Sequence, residues 1–178
     1  MSLQEKYLKN FIDDKIFVDI YTDQFEDSTF GFIVKISDEF LLLEQFTSIG
    51  EVNGISVFNR EDISRIRWKG NDISTTEIFA LKEKRIENLE EIQVGSITEI
   101  LKSVSDKFGY VTIHIQNLDS GISLIGEIVE MDEGVIVINE FGTYSSLDRK
   151  MLMINIDEIT KVEAGADYEN NLKEIFRK

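Results

Sequence analysis

The chain has 178 residues, and its 34 acidic and 19 basic side chains give a net charge of −15. A field of this sign repels phosphate backbones and anionic lipids at long range and favours basic partners. The lack of cysteine excludes disulfides and thiolate metal sites and favours a reducing cytoplasm. No run of about 20 apolar residues is present, so we expect no membrane span.

The first half of the chain begins with a short helical pattern and continues with strands. Three apolar side chains share the helical face: Leu8, Phe11 and Ile12. From Ile16 onward, alternating apolar residues and short apolar runs predict about five short strands, which is typical of an antiparallel barrel or sandwich. Ser74 and Glu77 have the spacing of a capping box, which predicts a helix running to about Ile92.

The second half shows the same succession of helix, strands and helix. Ser96 and Glu99 form a capping box, and Gly109 is a typical helix end. Short β-branched runs such as residues 135–138 then predict strands. A closing helix has one apolar stripe: Tyr168, Leu172, Ile175 and Phe176.

The two halves align with each other. At an offset of 95, residues 16–48 match residues 111–143 without a gap, and Gly31 coincides with Gly126. Such a period indicates one structural unit used twice. A glycine inside a strand pattern favours a sharp bend or a close approach of two backbones.

Two segments of the first half carry a more specific pattern. Residues 31–43 combine a glycine with a hydrophobic run, and residues 57–60 end in Arg60. Together they resemble the two motifs of the Sm-like family of small SH3-like barrels. The resemblance implies a strongly bent five-stranded barrel, and many family members form rings that bind uridine- or adenine-rich RNA.

The sequence departs from the family where RNA would be bound. Leu41-Leu42 stands where the family has Met-Asn, and Glu61 replaces the glycine that follows the arginine. The second copy has Asn155-Ile156 and lacks the arginine. The resemblance therefore supports the fold more than the function.

We accordingly predict an α+β, mainly β protein made of two tandem five-stranded Sm-like barrels, each flanked by short helices. The first domain comprises residues 1–94 and the second comprises residues 95–178. The fusion could replace a homodimer, or fused pairs could assemble further through exposed strand edges.

The candidate ligand-binding residues lie in one basic stretch: Arg60, Arg65, Arg67 and Trp68. Strand alternation places Arg65 and Arg67 on one face and Trp68 on the other. The simpler interpretation is that the arginines pair with strand acids such as Glu44 and Glu51, and that Trp68 packs at the rim of a barrel.

No catalytic or metal site is predicted, and no cofactor. His114 is the only histidine, and we expect it to be exposed on the polar side of a strand, without a partner residue for catalysis. Asp23, Glu26 and Asp27 lack the spacing of a calcium loop and are expected to be a solvated loop.

Three function classes remain open. The first is a non-enzymatic interaction module whose acidic surface or strand edge binds a protein, possible partners including a basic one, as an immunity or inhibitor protein would. The second is an RNA-binding Sm-like protein, which the net charge disfavours. An enzyme is the third, and no nucleophile and base pair supports it.

Overall fold

The computed structural model describes residues 1–176 as an α+β structure that is mostly β. The helices are α1 (Leu3–Asp13), α2 (Asn71–Ala80), α3 (Ile97–Phe108) and α4 (Asp167–Phe176). The first five strands are β1 (Phe17–Thr22), β2 (Asp27–Ile36), β3 (Phe40–Phe46), β4 (Val52–Asn59) and β5 (Arg65–Arg67). The second five are β6 (Val111–His114), β7 (Ser123–Met131), β8 (Val135–Glu140), β9 (Lys150–Asn155) and β10 (Lys161–Ala164). No helix among residues 1–176 has the length and apolar character needed to cross a membrane.

Local signals predict both ends of α3 correctly. The side chain of Ser96 accepts a hydrogen bond from the amide of Glu99, and Gly109 ends α3 with a φ of 78°. The prediction of a helix from Ser74 to about Ile92 is wrong, because α2 begins at Asn71 and ends at Ala80.

A buried carboxylate prevents the helix from continuing to Ile92. Glu44 is 1% exposed and accepts hydrogen bonds from the Arg85 guanidinium and from the Ile86 amide. An amide inside a helix is already bonded to a carbonyl and could not serve Glu44. The segment after α2 therefore leaves the helix and packs along the sheet, where Lys35 Nζ donates to the carbonyl of Ile92 at 2.9 Å.

All ten strands form one antiparallel sheet in the order β5-β1-β2-β3-β4-β10-β6-β7-β8-β9. The sheet is not closed into a barrel, so the prediction of two separate five-stranded barrels is not confirmed. The reason is the pairing of β4 with β10, in which Val57 lies opposite Val162. Each group of five strands nevertheless follows the same order, because β10-β6-β7-β8-β9 is β5-β1-β2-β3-β4 with every strand number raised by five.

The register corrects the sequence alignment in the first strand of each half. Val18 pairs with Gly31, whereas Val111 pairs with Gly126. The first strands therefore correspond at an offset of 93 rather than 95. The connection between β6 and β7 absorbs the difference, since it is longer than the one between β1 and β2.

The paired glycines lie where two backbones approach closely, as predicted. A Cβ atom on Gly31 would collide with the carbonyl oxygen of Glu44, and one on Gly126 would collide with that of Asn139. Both glycines therefore permit tight packing of the second strand of each half against the third.

Strand β4 is buried on both faces. Ile55 and Val57 belong to the core that contains Val162 and the apolar face of α3, whereas Phe58 belongs to the core beneath α1. Residues from both halves of the chain thus fill the larger core.

The helices that follow β5 and β10 cover the sheet with different chemistry. α2 packs on an aromatic cluster formed by Phe17, Phe32 and Phe46. α4 places Leu172 in the larger core and brings Glu169 to Tyr110.

Candidate functional site

The first candidate surface is the β5 edge, where three of the four predicted ligand-binding residues lie. β5 is the outermost strand of the sheet and pairs only with β1 among the described residues. Arg65 and Arg67 belong to β5, and Trp68 follows it directly. We call β5 and the adjoining surface of α1 the β5 edge.

Arg65 is held by a carboxylate and an aromatic ring. Its Nε and Nη2 atoms donate to the two carboxylate oxygens of Asp23 at 2.9 and 2.8 Å. Its guanidinium lies 3.9 Å from the centre of the Tyr21 ring. The hydrogen bonds from Arg65 lower the pKa of Asp23, which therefore stays ionised at neutral pH.

Arg67 is paired with two carboxylates. Its Nη2 atom lies 2.7 Å from both Asp19 Oδ2 and Asp72 Oδ2, and Asp19 is fully buried. The arginines thus pair with acids as the simpler interpretation expects, but not with Glu44 or Glu51. Because β5 lies beside β1 and not beside β3, the available acids come from β1, from the turn after it and from the start of α2.

Arg60 lies apart from this pair. Its Nη1 atom donates to the carbonyl of Ser37 at 2.6 Å and to that of Asp38 at 3.3 Å, and Nη2 donates to the side chain of Gln4. It therefore fastens the turn between β2 and β3 to α1. The contacts of Arg60 are not shared with Arg65 or Arg67, so the four predicted residues do not form one cluster; whether any of them binds a ligand stays a prediction.

Trp68 packs against α1 at the edge of the sheet. Its ring lies 5.1 Å from that of Phe11 and 5.5 Å from that of Tyr7, between ring centres. Beside it a groove of about 400 Å³ runs between α1 and β5. Its apolar lining includes Leu3, Tyr7, Phe11, Ile63, Ile66 and Trp68.

The second candidate surface, missed by the sequence reasoning, is the β9 edge. β9 lies at the other end of the sheet and pairs only with β8 among residues 1–176. Met151 and Met153 point outward from it and are 62% and 70% exposed, and Val129 on β7 is 56% exposed. We call β9 and this apolar face of β7 and β8 the β9 edge. The sequence gives no local signal of this edge, because Met151 and Met153 alternate with the apolar Leu152 and Ile154.

A charged cluster lies where the two halves meet, around Lys161 and Glu163 on β10. Lys161 Nζ lies 2.5 Å from Asp27 and 3.3 Å from Glu163. His114 Nε2 lies 2.6 Å from the other oxygen of Glu163, so the expectation of an exposed histidine is wrong. Asp27, expected in a solvated loop, is paired instead.

The cluster keeps its charges through mutual contacts. Burial would raise the pKa of Glu163, but the hydrogen bond from His114 and the charge of Lys161 lower it to about 2. Burial would lower the pKa of Lys161, but the charges of Glu163 and Asp27 raise it instead. Both groups therefore stay ionised at neutral pH, and they tie β2 to β10 and β6.

This cluster does not have the order of a catalytic triad. Ser56 is fully buried and donates to Glu163 Oε1 at 2.6 Å, so the carboxylate lies between the hydroxyl and His114. A histidine must contact the hydroxyl to accept its proton. Nothing in this geometry activates Ser56.

No group of three or more His, Cys, Asp or Glu side chains in the described part of the chain is arranged to hold a metal ion. Comparison of the chain with protein-family models, with curated proteins and with solved structures gives no match in any of the three.

Proposed function

We propose that the chain is a non-enzymatic interaction module, a tandem of two Sm-like, SH3-like units, that binds a protein partner along the open edges of its sheet. The observation that carries this proposal concerns the two outermost strands, β5 and β9. In the part of the chain that the structure describes, each has a neighbouring strand on one side only and lies beside exposed apolar side chains. Unpaired strand edges bind extended segments through backbone hydrogen bonds, and adjoining apolar pockets supply affinity. The identical strand order of the two halves supports an internal duplication.

Charge supports a particular class of partner. A net charge of −15 speeds association with a basic protein in the cytoplasm, as an inhibitor of a cationic enzyme would require. RNA binding is less well supported, because the carboxylates of Asp19, Asp23 and Asp72 already neutralise Arg65 and Arg67.

The test is capture of partners by the tagged full chain, with variants of each edge. We expect Met153→Glu to reduce capture, because it places a charge on the apolar face of β9. Ile78→Glu is the control, since Ile78 is 57% exposed on α2 and does not line the groove between α1 and β5.

The salt dependence separates two versions of this proposal. Partner binding through the edges persists at about 1 M salt, whereas binding driven by the acidic surface is lost. Capture that is unaffected by variants of either edge would contradict the edge proposal. Binding of oligo-U or oligo-A at low salt would support the RNA alternative instead.

A further inference from the structure

One face of the first half is covered by the segment that follows α2. In a row across β2, β3 and β4, Lys35 pairs with Leu42, and Leu42 pairs with Val57. We call these three residues the covered row. Leu42 and Val57 are 0% and 2% exposed. They belong to the same core as Leu89 and Ile92 of that segment, which thus helps to exclude water from the row.

Polar contacts hold this covering segment in place. Lys35 Nζ donates to the carbonyl of Glu90 at 2.8 Å and to that of Ile92 at 2.9 Å. Glu44, on the same side of β3 as the covered row, accepts a hydrogen bond from the Ile86 amide at 2.8 Å. The segment therefore combines apolar side chains over the row with backbone contacts to one cation and one carboxylate of the sheet.

The second half has the equivalent row without a covering segment. Glu130 pairs with Val137, and Val137 pairs with Met153. These three residues, which we call the open row, take the places of the three residues of the covered row in the same order. Met153 is 70% exposed, and Val129, next to the row on β7, is 56% exposed. A groove of about 340 Å³ runs along the open row, and Asp132 also lines it.

The charge of the row is reversed between the halves. Lys35 donates to the covering segment, whereas Glu130 stands in its place and can only accept. Hydrogen bonds from the amides of Gly134 and Val135 lower the pKa of Asp132, which is therefore ionised at neutral pH. No Lys or Arg is among the described residues that line the groove. A segment that covers the open row must therefore supply donors and positive charge.

We infer that the open row binds a short linear segment of another protein that carries apolar side chains together with lysine or arginine. Its apolar side chains cover Val137 and Met153, as the covering segment does in the first half. Its cations lie against Glu130 and Asp132. This inference rests on the proposed function and deepens it, since it names the chemistry of the partner and places the partner on a face of the sheet.

The covering segment of a second copy of the chain does not fit this site. Residues 87–94, which supply its apolar side chains, contain three glutamates and no lysine or arginine. On the open row these glutamates would meet the carboxylates of Glu130 and Asp132, and like charges across an interface disfavour binding. Charge therefore selects a basic segment of a different protein.

The first experiment titrates a fluorescent synthetic peptide with the full chain and measures anisotropy. The peptide copies residues 84–95 with Glu87→Lys, Glu90→Lys and Glu91→Lys, because the backbone of the open row matches that of the covered row. We expect one-to-one binding with a dissociation constant below about 100 μM at about 0.15 M salt. The unmodified peptide should bind about tenfold more weakly or less tightly still.

A third peptide separates binding at the row from general attraction to an acidic protein. It has the three lysines of the first peptide and also Leu89→Ser and Ile92→Ser, so it keeps the charge and loses the apolar side chains. We expect its affinity to be about tenfold lower than that of the first peptide, because less apolar surface is buried.

Variants of the full chain locate the binding site. Glu130→Lys should weaken binding of the lysine peptide by about tenfold, and Met153→Ser should weaken it by about threefold or more. The control Glu51→Lys makes the same change of charge at an exposed position of the first half and should leave the affinity within about twofold of the wild type. Circular dichroism verifies that each variant is folded.

A reversal of preference gives a readout that misfolding cannot produce. Glu130→Lys restores the charge that Lys35 has in the covered row. This variant should therefore bind the unmodified peptide more tightly than the wild type does.

Equal binding of the three peptides, or equal effects of Glu130→Lys and Glu51→Lys, would overturn the inference. A wild type that prefers the unmodified peptide would overturn it as well and would identify a second copy as the occupant. Edge-dependent capture of a partner by a chain that binds none of the peptides would overturn the inference and leave the proposed function standing. Peptide binding at the open row without edge-dependent capture would support the inference and remove the strand edges from the proposed function.

Discussion

The two halves of the chain share their strand order but stabilise it with different chemistry. In the first half, α2 covers Phe17, Phe32 and Phe46, which contact one another edge to face. In the second half, Tyr110 takes the position of Phe17, and α4 brings the buried carboxylate of Glu169 against it. The same position of the strand arrangement is thus stabilised by aromatic contacts in the first half and by a hydrogen bond to a carboxylate in the second.

The difference has consequences for stability. Apolar contacts depend little on pH, whereas a buried carboxyl group that changes protonation on folding makes stability depend on pH. We therefore expect the first half to be sensitive to lost side-chain volume and the second half to be sensitive to pH.

The largest effect is expected from Phe17→Ala. Phe17 is 1% exposed and contacts Phe30, Phe32 and Phe46. Loss of its ring leaves a cavity, and we expect a fall of about 4 kcal/mol in the free energy of unfolding, measured with urea. Tyr110→Phe, which keeps the ring, is the control in the other half and should cost about 1 kcal/mol. Equal losses in the free energy of unfolding for the two variants would mean that the surroundings of Phe17 and Tyr110 are not stabilised differently.

Lys161→Met tests the charged cluster around Lys161 and Glu163. The substitution leaves the largely buried Glu163 and the partly exposed Asp27 without their shared cation, so we expect a loss of about 3 kcal/mol. Chemical denaturation at neutral pH measures it. Lys150→Met, at an exposed site on β9, should change stability by less than about 0.5 kcal/mol. A small effect of Lys161→Met would show that the cluster contributes no net stability.

Glu169→Gln tests the pH dependence of the second half. Burial raises the pKa of Glu169 above its usual 4.5 despite the hydrogen bond from Thr112. The stability that its protonated form contributes is complete below the unfolded pKa and is lost as pH rises through the raised folded value. The variant removes this loss, so we expect its stability to fall less than that of the wild type as the pH rises from acidic to neutral.

Thermal unfolding between pH 4 and pH 8, compared for wild type and variant, measures that difference. Glu163 acts in the opposite direction, because its pKa is lowered to about 2 and its contribution is lost as pH falls below about 4.5. Parallel pH profiles for the wild type and Glu169→Gln would contradict the role given to Glu169.

Arg65→Ala should have the smallest effect. The guanidinium and its partner Asp23 are both about half exposed, and exposed pairs contribute little. We expect less than about 1 kcal/mol, including the contact with the Tyr21 ring, and a loss that shrinks further in salt. A loss above about 2 kcal/mol would show that the β5 edge depends on this arginine.

Local signals predicted the parts of the fold that local interactions determine. The cap at Ser96, the end of α3 at Gly109 and the close approach at Gly31 follow from spacing and from residue type. That the helix does not reach Ile92 could not be predicted in this way, since it depends on Glu44, which is far away in the sequence. A contact between residues distant in the sequence overrides local helix propensity there.

The site was harder to predict for the same reason. The partners of Arg65 and Arg67 depend on which strand lies beside β5, and the contact of His114 with Glu163 depends on the pairing of β6 with β10. Neither pairing is encoded in the spacing of nearby residues. The β9 edge becomes noticeable only when Met153 is compared with Val57, which requires the register of both halves.

Successive residues of strand β4 point into two different hydrophobic cores. Val57 faces one of them and Phe58 faces the other. Strand side chains alternate between the two faces of a sheet with a period of two. A single-residue insertion or deletion within β4 would therefore move its side chains to the opposite face and disrupt both cores at once. Changes of length in this chain should therefore accumulate in the connections between strands, as the longer one between β6 and β7 illustrates, while the length of β4 stays fixed.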